Sequence, residues 1–360
     1  MKQLLSLILV FGLSAGWAQN VNTNKFRQLY NELPTPNVYR TAAGAPGHEY
    51  YQQRADYNMD ITLDDENQRL YGEEVITYHN ESPDQLEYLW VQLDQNMRAQ
   101  GSDREMISQM DIEDSLSFGS LARLHNDFDG GFKIDWVHDS RGNDLEYAIN
   151  KTMMRVNLPR PLASGASFTF SIKWWYNINN RSKIGGRSGF EFFEEDGNYL
   201  YTIAQFFPRM AVYNDVEGWQ NKQFLGRGEF AVPFGDYKVN LTVPADHVVA
   251  STGELQNSSS VLSSSERRRF NEAKTADRPV VIVTEEEAED RMANPVTDKT
   301  RTWTFEAENV RDFAFASSRR FIWDAMGVKF GDRTVMAMSY YPKEGNPLWE
   351  KYSTEVVAHT

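Results

Sequence analysis

The sequence contains no cysteine among its 360 residues. This absence excludes disulfide bonds, thiolate metal sites, cysteine nucleophiles and a lipid-modified cysteine behind a leader peptide. It places no restriction on the cellular compartment, because a chain of this length can bury a core that needs no covalent cross-links.

Positive charge is also in short supply. The chain has 37 Lys and Arg residues against 51 Asp and Glu residues, which gives a formal net charge of −14. A nucleic-acid-binding protein needs a basic face that releases counterions, so we expect no nucleic-acid partner. Electrostatic docking on anionic lipid is disfavoured on the same ground, and the excess negative charge favours a dispersed, soluble protein.

Long hydrophobic runs are missing after the first eighteen residues, so we expect no transmembrane segment. The opening stretch has a positive end at Lys2, an apolar run over residues 4–11 that is too short to span a bilayer, and a small-x-small cleavage pattern at Gly16-Trp17-Ala18. Residues 1–18 are therefore predicted to be a signal peptide, with Gln19 as the mature terminus. We expect the protein to be exported, to the periplasm or the extracellular space.

From residue 57 onward the chain alternates apolar and polar residues with the period of two that a strand buried on one face requires. Residues 57–63, 70–79 and 86–93 are predicted to form an antiparallel meander. Further strands are predicted at 132–137, 144–148, 153–158, 167–176, 199–207 and 237–243. This pattern predicts a mainly β fold, a saddle-like antiparallel β-sandwich over residues 51–338 that follows a polar lead-in at 19–50.

Two segments depart from the alternation. Residues 257–265 are rich in serine and, with the basic trio Arg267-Arg268-Arg269, are predicted to form an exposed loop. Residues 284–294 are acidic and are predicted to be a solvated insertion.

The last segment carries a helix signal. Asn346-Pro347 is predicted to cap a helix, with Leu348, Tyr352 and Val356 on one face. A helix with one apolar stripe must pack against something. We therefore interpret residues 339–360 as the truncated beginning of a second, α-helical catalytic domain.

Histidines are the first place to look for metal chemistry. The segment His48-Glu49-Tyr50-Tyr51-Gln52 has the first half of a zinc-binding His-Glu-x-x-His helix, but Gln52 stands where the second histidine belongs. Residues 125–130 are predicted to be a turn, because Trp136 replaces the last carboxylate of a calcium loop. His138 and His247 flank turns and are predicted to contact solvent.

Other catalytic patterns are incomplete. The chain has no Gly-x-Ser-x-Gly elbow for a serine hydrolase. The acids Glu191, Glu194, Glu195 and Asp196 resemble a glycosidase acid pair, although a solvated turn explains them more simply. We therefore predict no catalytic residue and no metal ligand in this chain.

The order of several segments carries a family resemblance. The segments are Tyr57-x-Met59-x-Ile61-x-Leu63, Leu70-Tyr71-Gly72, 75–80, 86–96, Leu158-x-x-Pro161-Leu162-x-x-Gly165, 168–175, Ala204-Gln205-Phe206-Phe207-Pro208-Arg209 with Asn214-Asp215, 236–244, 249–253 and 303–314. Over about residues 50–360 the chain resembles the N-terminal region of the aminopeptidase N and leukotriene hydrolase-like (gluzincin) zinc metallopeptidases, in their secreted bacterial branch. The resemblance stops before the His-Glu-x-x-His motif of that family.

The resemblance implies a function for the whole protein. It implies an exported zinc aminopeptidase that hydrolyses peptide bonds near the amino terminus of peptides, with zinc bound by a missing C-terminal catalytic domain. It implies that Gln205 lines the substrate cleft near the peptide's amino end, and that this fragment alone is inactive. Two alternatives stay open: a non-catalytic secreted β-sandwich that binds a ligand through aromatic loops such as Trp174-Trp175-Tyr176, and a carbohydrate-active enzyme that uses the acids at 191–196.

Overall fold

A computed structural model describes residues 36–107, 115, 117, 118, 127–228 and 231–360. The predicted signal peptide and most of the lead-in lie outside the described residues, and so does His125 of the proposed turn.

Strands dominate the described residues. In chain order they are β1 (Arg54–Asp64), β2 (Arg69–His79), β3 (Leu86–Gln92), β4 (Lys133–Asp139), β5 (Tyr147–Asn150), β6 (Met153–Leu162), β7 (Ser167–Asn177), β8 (Gly189–Phe193), β9 (Asn198–Ile203), β10 (Arg209–Met210), β11 (Tyr213–Asn214), β12 (Gly218–Trp219), β13 (Gly235–Pro244), β14 (Val248–Ser251), β15 (Glu254–Leu255), β16 (Val280–Val283), β17 (Thr300–Val310), β18 (Phe315–Ser318), β19 (Ile322–Phe330) and β20 (Arg333–Tyr341). The predicted mainly β fold is confirmed.

Helices are short by comparison. They are α1 (Asp103–Ile107), α2 (Arg181–Ile184), α3 (Ser258–Val261), α4 (Ser264–Ala273), α5 (Glu285–Ala293) and α6 (Leu348–His359), with 3-10 turns at Asp94–Arg98 and Lys343–Gly345. None of the helices in the described part of the chain combines the length and hydropathy needed to cross a membrane.

A seven-stranded sheet, in the order β15-β17-β13-β1-β2-β7-β4, forms the largest layer. The β1–β2 hairpin runs antiparallel as predicted, and its inward residues Tyr57, Met59 and Ile61 are buried. β1 also pairs in parallel with β13, a strand 180 residues later in the chain. The rings of Tyr57 and Tyr237 stack across this pair at 4.7 Å.

Four smaller sheets complete the described fold. Two have four strands (β10-β3-β6-β5 and β14-β18-β9-β8), one has three (β16-β19-β20) and one has two (β11-β12). Side chains from the seven-, four- and three-stranded sheets meet in one hydrophobic core.

The predicted three-stranded meander is wrong at its third strand. β3 leaves the first hairpin and pairs with β6 in another sheet. The cause lies in the intervening turn, where the buried Asn80 donates from Nδ2 to the carbonyl oxygens of Leu162 and Ala163 at 3.1 and 3.2 Å. These bonds attach the start of β3 to the end of β6.

The predicted loop at 257–265 and the solvated insertion at 284–294 are also wrong, because both segments are largely helical. α4 and α5 each begin with a capping box, formed by Ser263 with Glu266 and by Thr284 with Glu287. Because a capping box satisfies two backbone N–H groups at a helix start, these Ser/Thr-x-x-Glu patterns favour helices. The side chain of Arg269 in the basic trio donates to Glu287, which joins the two helices.

The predicted C-terminal helix is present as α6, although Pro347, and not Asn346, occupies its N-cap position. Thr354 is the buried residue of this helix, and its hydroxyl donates to the buried carboxylate of Asp324. The predicted apolar stripe is uncovered: Leu348, Tyr352 and Val356 are 60%, 46% and 57% exposed.

Candidate functional site

Gln205 lies in the irregular segment between β9 and β10. Its backbone adopts φ +52°, in the left-handed region that few non-glycine residues occupy. The carbonyl oxygen of Gln205 accepts from Nε2 of the buried Gln95 at 2.8 Å, and Oε1 of Gln95 accepts from Nη1 of Arg98 at 2.9 Å. The backbone of Gln205 is thus held by a buried side-chain network.

The carboxamide of Gln205 has no such restraint. It is half-buried, and it forms no side-chain hydrogen bond with another residue in the described part of the chain. A free carboxamide has one oxygen acceptor and two N–H donors to offer. The structure therefore presents a donor–acceptor group on a fixed backbone.

The downstream end of the segment is anchored by a buried ion pair. Nε and Nη2 of Arg209 donate to Asp94 Oδ2 at 3.0 and 2.7 Å, and Nη1 donates to Asp312 at 2.5 Å. Burial raises the pKa of Asp94, and Arg209 opposes that shift. Between the two anchors, Phe206 and Phe207 are fully buried. The segment from Gln205 to Arg209 is therefore held at both ends and by the two buried rings between them.

A cavity of about 1080 Å³ borders this segment. Residues 202–204 line it, so Gln205 lies one residue beyond the cavity wall. The remaining wall comes from distant elements, including Phe270 of α4, Trp303 of β17, Trp323 of β19 and the strand β20. Concave sites with predominantly apolar walls are the usual place for ligands.

The glycosidase-like acids do not form a pair. Glu191 contacts Arg181 at 3.3 Å, and Asp196 forms an ion pair with Arg320. Glu194 and Glu195 are exposed in the turn between β8 and β9. The structure thus gives the carbohydrate-active hypothesis no support at these residues.

The predicted aromatic loop Trp174-Trp175-Tyr176 is wrong, because the three residues lie on β7. Trp174 and Tyr176 are buried in the core. Trp175 points to the other face, where Arg69 lies over its ring at 5.0 Å. The alternation that identified this strand also dictates that two of the three rings face inward.

The prediction that His247 contacts solvent is wrong. The residue is 2% exposed, and burial lowers the pKa of its imidazole to about 3. His247 Nδ1 lies 2.9 Å from Ser317 Oγ, but Ser317 is fully buried, so this Ser–His pair is closed to substrate. Sequence reasoning missed this pair because the two residues are 70 positions apart. His138 lies at the surface, 3.0 Å from Asp144.

The zinc ion implied by the family resemblance finds no ligand set in the described residues. No group of three or more His, Asp or Glu side chains among them could hold a metal ion. The half-motif at His48 forms no such group. His48 is exposed, and its Nε2 lies 3.9 Å from the neighbouring Glu49 carboxylate. The residues that the structure describes therefore do not fit a zinc site.

Comparisons with known proteins add a structural likeness. No protein-family model matches the chain, and the search of curated proteins finds no match. The chain is structurally similar to an M1 zinc metallopeptidase from Deinococcus radiodurans, with 13% identity and a TM-score of 0.43, over 81% of this chain and 47% of that one. A mutant of the Deinococcus enzyme bound to a Tyr-Ser-Ala substrate matches with 13% identity and a TM-score of 0.45, over 85% of this chain and 52% of that one. This chain spans about half the length of the structures that it matches.

Proposed function

We propose that this chain is the substrate-lining domain of an exported zinc aminopeptidase that hydrolyses peptide bonds near the amino terminus of peptides. The observation that carries the proposal is the state of Gln205: a backbone fixed by Gln95 and a half-buried carboxamide with no side-chain hydrogen-bond partner among the described residues. The order of family-like segments from residue 50 to residue 360 supports the same assignment.

Gln205 acts in this proposal as a positioning group for the substrate. Its amide oxygen accepts from the ammonium group of the peptide, and its amide nitrogen donates to a peptide carbonyl. The hydrogen bond that Gln95 Nε2 donates to the Gln205 carbonyl oxygen, at 2.8 Å, fixes the backbone from which the carboxamide extends. Fixed donors and acceptors bind with less loss of conformational freedom than mobile ones.

The zinc ion and its ligands belong, in this proposal, to a catalytic domain outside the described residues. A surface for that domain exists on α6, where Leu348, Tyr352 and Val356 expose an apolar stripe. Exposed apolar patches on a folded protein mark interaction surfaces. The role of this chain is therefore to bind and orient the peptide, and the bond-breaking groups come from its partner domain.

The test compares peptides that differ only at the amino end. We expect a tripeptide with a free amino terminus to bind the chain more tightly than its N-acetylated form in a calorimetric titration. Gln205→Ala should weaken binding of the free peptide at least tenfold, because a hydrogen bond to a charged group, worth about 1.5–3 kcal/mol, is lost. The matched control Gln52→Ala changes an exposed glutamine that precedes β1 and should leave binding unchanged.

The alternative is a secreted module that binds a ligand without taking part in peptide hydrolysis, and the size of the cavity favours it as a second candidate. Equal binding of the free and acetylated peptides, or an unchanged affinity in Gln205→Ala, would reject the aminopeptidase assignment in favour of this module.

A further inference from the structure

The cavity that borders residues 202–204 has an aromatic wall. Trp323 stacks on Tyr340 with ring centroids 5.1 Å apart, and it contacts the ring of Phe270 at 5.3 Å. Met336 and Met338 of β20 line the same cavity. Methionine side chains adapt to ligands of different shape, so the wall suits a flexible apolar body.

The rim of the same cavity is basic, in contrast to the protein as a whole. Arg187, Lys274 and Arg333 line it, and Glu254 is the one carboxylate among the described lining residues. The chain carries a net charge of −14, so a lining with three cations and one carboxylate is a local reversal of sign. Such a reversal attracts anions to one place on an otherwise repulsive surface.

These cations are free to meet a ligand. No ion pair or side-chain hydrogen bond joins Arg187, Lys274 or Arg333 to another residue within the described ranges, and Lys274 lies 5.1 Å from the Phe270 ring centre. Gly327 of β19 packs closely against the Lys274 carbonyl and against the side chain of Thr334, the residue after Arg333. Arg187 lines the same cavity next to Thr202, whose Oγ1 donates to the Arg187 carbonyl oxygen.

We propose that this cavity binds a molecule with a long apolar body and a single carboxylate, of the fatty-acid class. The apolar body packs on the rings of Phe270, Trp323 and Tyr340, and the carboxylate pairs with the basic rim. A cationic amphiphile would meet repulsion from the three basic side chains. A polyanion such as a nucleotide would leave its polar groups against aromatic walls without hydrogen bonds. The volume of about 1080 Å³ lies at the upper end for small-molecule sites and admits a long chain.

Tryptophan fluorescence and calorimetry with three probes of equal chain length test the proposal. We expect dodecanoate to bind about tenfold more tightly than dodecanol or dodecyltrimethylammonium, with the ionic probes kept below their micelle concentrations and dodecanol below its solubility limit. Raising the salt concentration should weaken dodecanoate binding, because exposed charges are screened. Equal affinities for the three probes, or no saturable binding of dodecanoate, would overturn the proposal.

Charge-reversal variants locate the site. Lys274→Glu and Arg333→Glu should each weaken dodecanoate about three- to tenfold, since an exposed attraction becomes a repulsion. Lys299→Glu makes the same charge change at an exposed lysine outside the cavity and should leave the affinity unchanged. If all three variants weaken dodecanoate binding equally, the change in net charge alone explains the effect, and the proposed site is rejected. Because the proposal does not rest on the aminopeptidase assignment, Gln205→Ala should retain dodecanoate binding.

Discussion

Glu74 offers a sharp test of the described core, because its carboxyl group is buried in the middle of the largest sheet. It lies on β2 opposite Met59 of β1 and Ile172 of β7 and is fully buried. Neither carboxyl oxygen has a hydrogen-bond partner among the described residues. Burial raises the pKa of Glu74 well above its ordinary value of 4.5, and the nearby Trp174 indole opposes this shift.

The raised pKa makes stability depend on pH. Above pH 4.5 an unfolded Glu74 releases its proton, while the folded protein keeps it until the raised pKa is reached. The unfolded state then binds fewer protons than the folded state, so the free energy of unfolding falls as pH rises. For one group the loss is about 1.4 kcal/mol per pH unit. Glu74→Gln keeps the shape and removes the titration, so it should remove this loss.

Urea unfolding between pH 5 and 8 measures the effect. The difference in unfolding free energy between Glu74→Gln and the parent protein should rise by about 1.4 kcal/mol per pH unit until the folded pKa is reached. Taking the difference cancels the other groups that titrate, such as Asp94. Glu73→Gln, at the exposed neighbouring position, is the control and should give a difference that stays flat. A flat difference for Glu74→Gln would refute the reasoning.

Two further predictions concern the anchor and the metal. In a urea titration, Asp94→Ala should lower the free energy of unfolding by about 3 kcal/mol, because it leaves Arg209 buried without its main partner. The control Lys238→Ala breaks the exposed pair with Glu306 and should lower the free energy of unfolding by less than about 1 kcal/mol. The purified chain should bind no stoichiometric zinc by elemental analysis and cleave no aminoacyl-anilide, and detection of either would contradict the assignment of catalysis to another domain.

Local sequence signals predicted much of the sheet structure. The β1–β2 hairpin follows from period-two alternation, and the turn follows from Asp64, whose side chain accepts from the N–H groups of Glu66 and Asn67. The capping boxes at Ser263 and Thr284 were present in the sequence as well. A capping box marks a helix start by a Ser or Thr followed three residues later by Glu. The loop and the solvated insertion were predicted from serine content and acidic content alone, and this spacing was overlooked.

The candidate site was less predictable. Gln205 was identified through the family resemblance, and its role stays a prediction. The cavity beside it is assembled from β9, β17, α4 and β20, which are far apart in the chain. No local sequence pattern predicts that Lys274 and Arg333 line one cavity, because the packing of α4 on β19 and the pairing of β19 with β20 bring them to it.

The sequence by itself determined where strands form and which of their side chains share a face, because alternation depends only on neighbouring residues. Tertiary structure decided which strands pair and what each buried face contacts. The parallel β1–β13 pairing, the fit of the Trp174 ring into the space that Gly72 leaves without a Cβ, and the burial of His247 against Ser317 all join distant segments. Such contacts depend on how the whole chain shares one core, and no short window of sequence contains that information.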